Sequence, residues 1–190
     1  MNEEIVNPSS PDLSNNREWT SSRIASVILL LVLCSVFVWN AYHPEDIFVG
    51  DLKFETVKAE RFDPQKDTSV EGNTITIQRG EIPTFYPRGL GVHANSEIYI
   101  RFLPDGYHYF VTEVGIDKEV PVGSPSSVIF TVESDGTVLY ESPVLRAGMA
   151  PRFVRVSIDG RSTLTLKVTD AGDGIEGDHA DWAMARFTIQ

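Results

Sequence analysis

Residues 170–182 read Asp-Ala-Gly-Asp-Gly-Ile-Glu-Gly-Asp-His-Ala-Asp-Trp and carry five carboxylates with no Lys or Arg. Carboxylates this crowded repel one another unless they are solvated, protonated or bridged by a cation. Calcium takes about six to eight oxygens, from carboxylates and backbone carbonyls, and glycines free a loop to turn its carbonyls inward. The candidate calcium ligands are Asp170, Asp173, Asp178 and Asp181. The spacing is not that of an EF-hand, because Gly172 and Gly174 stand where ligands would be. A solvated acidic loop is the competing reading.

A second segment, Arg88-Gly-Leu-Gly-Val-His93-Ala-Asn95-Ser-Glu97, runs into the alternating stretch from Ile98. Asn95 has the paired donor and acceptor that sugar hydroxyls require. His93 could donate to a hydroxyl, hold a metal, or be a buried and satisfied histidine. Trp182 could stack on a pyranose ring or plug the core. A glycosidase needs two carboxylates flanking one bond, and neighbours on one loop rarely do so. There is no Gly-x-Ser-x-Gly elbow, no His-Glu-x-x-His and no phosphate loop. The sequence points to binding rather than catalysis.

The elements that must position these residues are strands. Thr74–Ile77, Ile98–Phe102, Val128–Val132, Val154–Ile158 and Leu164–Val168 alternate apolar and polar residues, and the last strand runs from about Ala183 to Ile189. Turn signals recur at Asp105-Gly106, Asp135-Gly136, Asp159-Gly160 and Asp173-Gly174. Short strands with polar turns and no helical period predict an all-β, antiparallel β-sandwich or barrel.

This β region follows a different kind of sequence. Ile24 to Trp39 carry no charge, and extension to Tyr42 approaches the ~20 residues needed to span a bilayer as a helix. Trp19, Trp39 and Tyr42 suit the two interfaces. The expectation is an uncleaved transmembrane helix over 23–42, after a disordered polar arm over 1–22 and before a linker over 43–50. A cleaved signal peptide is the rival, but no convincing small-x-small site follows the apolar run. Arg17 and Arg23 on the N-terminal side place the C-terminal domain outside the cytoplasm by the positive-inside rule, giving a single-pass membrane protein.

The 190 residues carry a net charge of -11, which excludes a nucleic-acid partner. Residues 1–23 account for -2 of it and the remainder for -9. The single cysteine, Cys34, lies in the apolar run, so the β region has no disulfide and no cysteine-based zinc site.

Four blocks occur in order: Gly89-Leu-Gly-Val-His-Ala-Asn-Ser-Glu97, Val114-Gly-Ile-Asp117, Val168-Thr-Asp-Ala-Gly-Asp-Gly174 and Asp178-His-Ala-Asp-Trp-Ala183. Together they resemble the signature of the NPCBM domain, the novel putative carbohydrate-binding module, related to the family-51 carbohydrate-binding modules. The resemblance covers about 51–187, and the domain is taken as 51–190. It implies a galactose-binding-like jelly roll, non-catalytic, recognising galactose-type or related glycans, with a structural calcium in many such sandwiches. Carried over by position, His93, Asn95, Glu97, His179 and Trp182 become the candidate sugar-binding residues. The front departs from the family: Glu55-Thr-Val-Lys-Ala-Glu-Arg-Phe-Asp-Pro64 stands where a Trp- and Gly-rich stretch is common. That departure motivates an alternative, a structural or protein-interaction sandwich that has lost its sugar site and takes a protein partner instead.

Overall fold

A computed structural model describes residues 23–35, 45–79 and 81–190. Contacts divide the chain into two units, 1–45 and 46–190. In the first, residues 23–35 are helical, and the apolar side chains from Ile24 to Leu33 are exposed. No helix among the described residues is long and apolar enough to cross a membrane. The expected arm over 1–22 and the far part of the expected span, from residue 36, lie outside the described residues.

The described residues of the second unit form fourteen strands: β1 Ile47–Phe48, β2 Glu55–Ala59, β3 Gln65–Lys66, β4 Thr76–Arg79, β5 Ile82–Phe85, β6 Gly89–His93 and β7 Ser96–Ile100. They continue with β8 Tyr109–Ile116, β9 Ser127–Ser134, β10 Thr137–Glu141, β11 Leu145–Arg146, β12 Arg152–Ser157, β13 Leu164–Thr169 and β14 His179–Thr188. One six-stranded sheet has the order β12-β8-β14-β6-β3, with β1 on β14. The other has the order β10-β9-β13-β7-β2, with β11 on β9. Every pairing is antiparallel, as the alternation and the Asp135-Gly136 turn between β9 and β10 predict.

Two expected boundaries move. Ile47 and Phe48 were read as linker, yet they pair with Phe187 and Arg186 and belong to the first sheet. The last strand begins at His179 rather than near Ala183. Its polar start, His-Ala-Asp, hides the β pattern because the positions opposite are unusual: Asp181 pairs across with Gly91 on one side and Gly115 on the other.

The next residue, Trp182, points the other way, into the space between the sheets. It is fully buried, and its indole meets the Phe130 ring of the second sheet edge-on at 5.0 Å between centroids. Phe110, Phe187, Leu166 and Ile98 are buried in the same cluster. The Trp182 ring is therefore core, not a sugar platform, and its removal would cost about 3–5 kcal/mol, as for other buried aromatics.

Gly91 and Gly115 explain the outer face of the first sheet. A Cβ on Gly91 would stand 2.4 Å from the Thr68 carbonyl oxygen, and one on Gly115 would stand 2.6 Å from Ile77. Their bare backbones let the 68–69 segment and the β4–β5 hairpin lie directly on the sheet, where Ile75, Ile77 and Tyr86 form a second small core with Ala183. Asp181 is buried between them and is held neutral, its pKa raised far above the usual carboxylate range by burial and then by the charge of Asp117. The neighbouring charge is that of Asp117, and neither Asp181 oxygen has a hydrogen-bond partner among the described residues. Asp117 in turn accepts the Thr76 and Glu119 amides at 2.9 and 2.8 Å, tying the hairpin to the end of β8.

A carboxyl group whose pKa is raised by folding is stabilising when protonated. Above about pH 4 the unfolded chain releases this proton while the folded chain keeps it, so stability drains away as pH rises. An Asp181→Asn variant keeps the size and neutrality of the side chain and has no proton to lose. Urea unfolding from about pH 5 to pH 8 should shift the stability difference steadily in the variant's favour; a difference independent of pH would contradict the neutral assignment.

Candidate functional site

The sandwich end where β6 and β8 finish and β14 starts gathers polar residues from four segments. His179 opens β14 opposite His93, the last residue of β6, and the two rings lie 5.4 Å apart. The Nδ1 of His179 is 2.8 Å from Glu119 Oε1 and 3.8 Å from Glu71 Oε1. An ionised carboxylate only accepts, so Nδ1–H donates, which leaves Nε2 for another group. The other Glu119 oxygen accepts from Ser69 Oγ at 2.9 Å and from Asn73 Nδ2 at 3.0 Å. Glu119 is thus fixed by three donors, and it fixes the imidazole.

Beside this cluster Phe62 is half exposed, its ring edge-on to His93 at 5.6 Å. The Arg61 guanidinium lies 5.5 Å from the Phe62 centroid and pairs with Glu176 at 3.3 Å. The face therefore combines a partly open aromatic ring, guanidinium donors, two acidic acceptors and an imidazole. Such a mixture suits sugar hydroxyls, which donate and accept, and the C–H face of a pyranose.

The predicted residues fare differently. His179 is at the centre of this face. His93 lies beneath it, fully buried; Nδ1–H donates to the Ala94 carbonyl, burial pushes its pKa down, and Nε2 has no partner. Asn95 spends both ends of its amide on the protein: Oδ1 accepts the Asp170 amide at 3.0 Å and Nδ2 donates to Glu60 at 2.9 Å. It ties the β6–β7 turn to the acidic loop. Glu97 is in the second sheet, 3.9 Å from Lys167, which also pairs with Glu133 at 2.8 Å, and it does not reach the site. Sequence reading missed Arg61, Phe62, Glu71, Asn73 and Glu119. The available signals were an aromatic beside Arg61 just ahead of Pro64 in a turn, and an acid two residues beyond the Val114–Asp117 block.

Of the four expected calcium ligands, Asp181 is buried and held neutral beside Asp117. Asp178 is buried, with Oδ1 accepting the Ser127 amide at 2.8 Å and Oδ2 without a partner. Burial first, then the charges of Asp173 and Asp170, push its pKa to about 7. Asp173 accepts from Ser127 Oγ at 2.6 Å and faces Arg146 at 3.6 Å, while Asp170 accepts the Gly172 amide. The lone buried oxygen of Asp178 is what a cation would satisfy, so Asp170, Asp173 and Asp178 fit calcium in donor type. Among the described residues, the group whose ligating atoms lie within 4.8 Å of one another is instead Glu71, Glu119 and His179.

Residues 45–188 match the NPCBM/NEW2 domain. A family-51 carbohydrate-binding module of a Clostridium perfringens family-95 glycoside hydrolase, solved with methyl-galactose, is 34% identical; the match covers 76% of this chain and 100% of that one, with a TM-score of 0.72. The second such module of Clostridium perfringens ZmpB is 32% identical over 76% of this chain, with a TM-score of 0.71, and the match spans 31% of that chain. It has also been solved with GlcNAc. A putative endo-alpha-N-acetylgalactosaminidase of Renibacterium salmoninarum is 28% identical over 148 residues, 75% of this chain but 10% of the enzyme. These matches are to binding modules, non-catalytic domains borne by larger proteins, and the chain belongs to the NPCBM/NEW2 domain family.

Proposed function

We propose that the domain binds a galactose-type sugar of a glycan on the face formed by Phe62, Arg61, Glu71 and His179. The observation that carries this reading is the imidazole of His179, locked by Glu119 with one ring nitrogen left over, beside a half-exposed aromatic ring. Binding of methyl-galactose by the 34% identical Clostridium perfringens module supports it. Phe62 supplies an aromatic face in the stretch where the family's usual Trp is missing. The sugar's hydroxyls meet acceptors on His179 and Glu71 and donors on Arg61, and its apolar face meets Phe62.

Calorimetric titration of the full chain with methyl-galactose should give saturable binding. Phe62→Ala and His179→Ala should each weaken it about tenfold or more, the effect of losing one stacking face or one hydrogen bond to a polar ligand. Wild-type affinity in both variants would sink the assignment. A chain that binds no sugar would favour the protein-interaction reading.

Calcium on Asp170, Asp173 and Asp178, with backbone carbonyls of the loop, is a further part of the proposal. It is supported by the unpartnered Asp178 oxygen and by Coulombic strain that a cation would relieve. At a hundredfold excess over its dissociation constant, calcium would stabilise the domain by about 2.7 kcal/mol through mass action. The melting temperature should then be several degrees higher in calcium than in EGTA, and equal values would remove the ion from the account.

We further propose that residues 23–42 anchor the domain in a membrane as a single pass, with the domain on the extracytoplasmic side. The uncharged run from Ile24 to Trp39, its flanking aromatics and the arginines before it support this. Alkaline carbonate extraction of membranes should leave the chain in the pellet, and protease added outside spheroplasts should remove the domain; release into the supernatant would refute the anchor.

A further inference from the structure

The sugar face just described is acidic, but the domain has a cleft of the opposite character. It lies where β2 begins and β7 ends, at the other ends of those strands from Arg61 and Asn95, and has a volume of about 530 Å³. Five residues of β7 at about 3.3 Å each separate the two regions by about 17 Å. Phe54, Tyr99 and Phe102 line the cleft together with Lys53, Lys66 and Arg101; Glu55 is its one acid.

Two features mark it as more than a surface crease. Phe102 is 80% exposed, a large apolar ring left in water at the mouth of a cleft. Of the three cations, Arg101 alone has a carboxylate partner among the described residues, Glu55 at 3.3 Å. Lys66 donates to the neutral Leu52 carbonyl at 3.1 Å and lies 4.9 Å over the Phe54 ring, which positions its charge without cancelling it. A net positive cleft in a region carrying -9 is a local reversal of sign, and cations beside aromatic rings match a ligand with one apolar ring face and one negative group.

We propose that this cleft is a second binding site, for a sugar residue that carries a carboxylate. Tyr99 and Phe102 take the ring face, and Lys53 and Lys66 take the acid. The site is independent of the His179 face, so one glycan bearing a neutral and an acidic residue could occupy both. Its recognition is charge-assisted and therefore weakens with salt, as binding of an uncharged sugar does not.

Titration of the full chain with glucuronate tests this, with glucose as the ring without the acid and acetate as the acid without the ring. Saturable glucuronate binding at about 10 mM or below, weakened about tenfold by Phe102→Ala and by Lys53→Ala and suppressed by salt, is expected. Glucose and acetate should each bind at least tenfold more weakly. Methyl-galactose binding should be unchanged in both variants, which separates this site from the His179 face. Absence of glucuronate binding, binding undiminished in Phe102→Ala, or acetate binding as tightly as glucuronate would overturn the proposal.

Discussion

The absence of a side chain at position 91 is the constraint on which the site depends. Thr68 and Ser69 lie so close to Gly91 that a Cβ would fall 2.4 to 2.6 Å from their backbone atoms. That contact lets the 68–73 segment cross the first sheet, where Ser69 and Asn73 reach Glu119, and Glu119 reaches His179. One strand further, Gly115 does the same for the β4–β5 hairpin, and the neutral Asp181 between the two glycines lies beside the Asp117 that holds the hairpin's first strand. Gly91, Gly115 and Asp181 all lie in the signature blocks of this sequence, and in the structure they shape a backbone surface on which the 68–73 segment rests. They need not touch a ligand to do so.

Charge is distributed by the same logic. The acids of the 170–181 segment do not all serve one role. Asp181 is neutral and structural, Asp178 is buried with one oxygen unmatched, and Asp170 and Asp173 cap loop amides and hydroxyls. Glu71 and Glu176 give the face around His179 its negative character, while Lys53, Lys66 and Arg101 gather where β2 begins and β7 ends. With no cysteine after Cys34, this arrangement is held by the Trp182–Phe130 contact between the sheets and by buried hydrogen bonds, without a disulfide.

Most of the fold could be read from the chain because its strands are half-buried and alternate. Leu164, Leu166 and Val168 are buried as their spacing says, and the Asp135-Gly136 turn joins the strands on either side of it. What escaped reading was set by contacts far apart in sequence. Gly89 to His93 are all buried, so β6 has no alternation to betray it as a strand. Trp182 by sequence suits either a sugar platform or the core, and its place in β14 turns it inward. His179 was found because it lies in a signature block. Phe62, Glu71 and Asn73 were not, because the fold brings them to His179 from a loop whose sequence has no motif of its own.

The direct test is to record the backbone amide spectrum of the isotope-labelled full chain while methyl-galactose is added. The largest shifts should fall on residues 61–73, Glu119 and His179, with little change at Trp182 or at Lys53 and Phe102. Shifts centred elsewhere on the sandwich, or a spectrum that sugar leaves unchanged, would contradict the placement of the binding face.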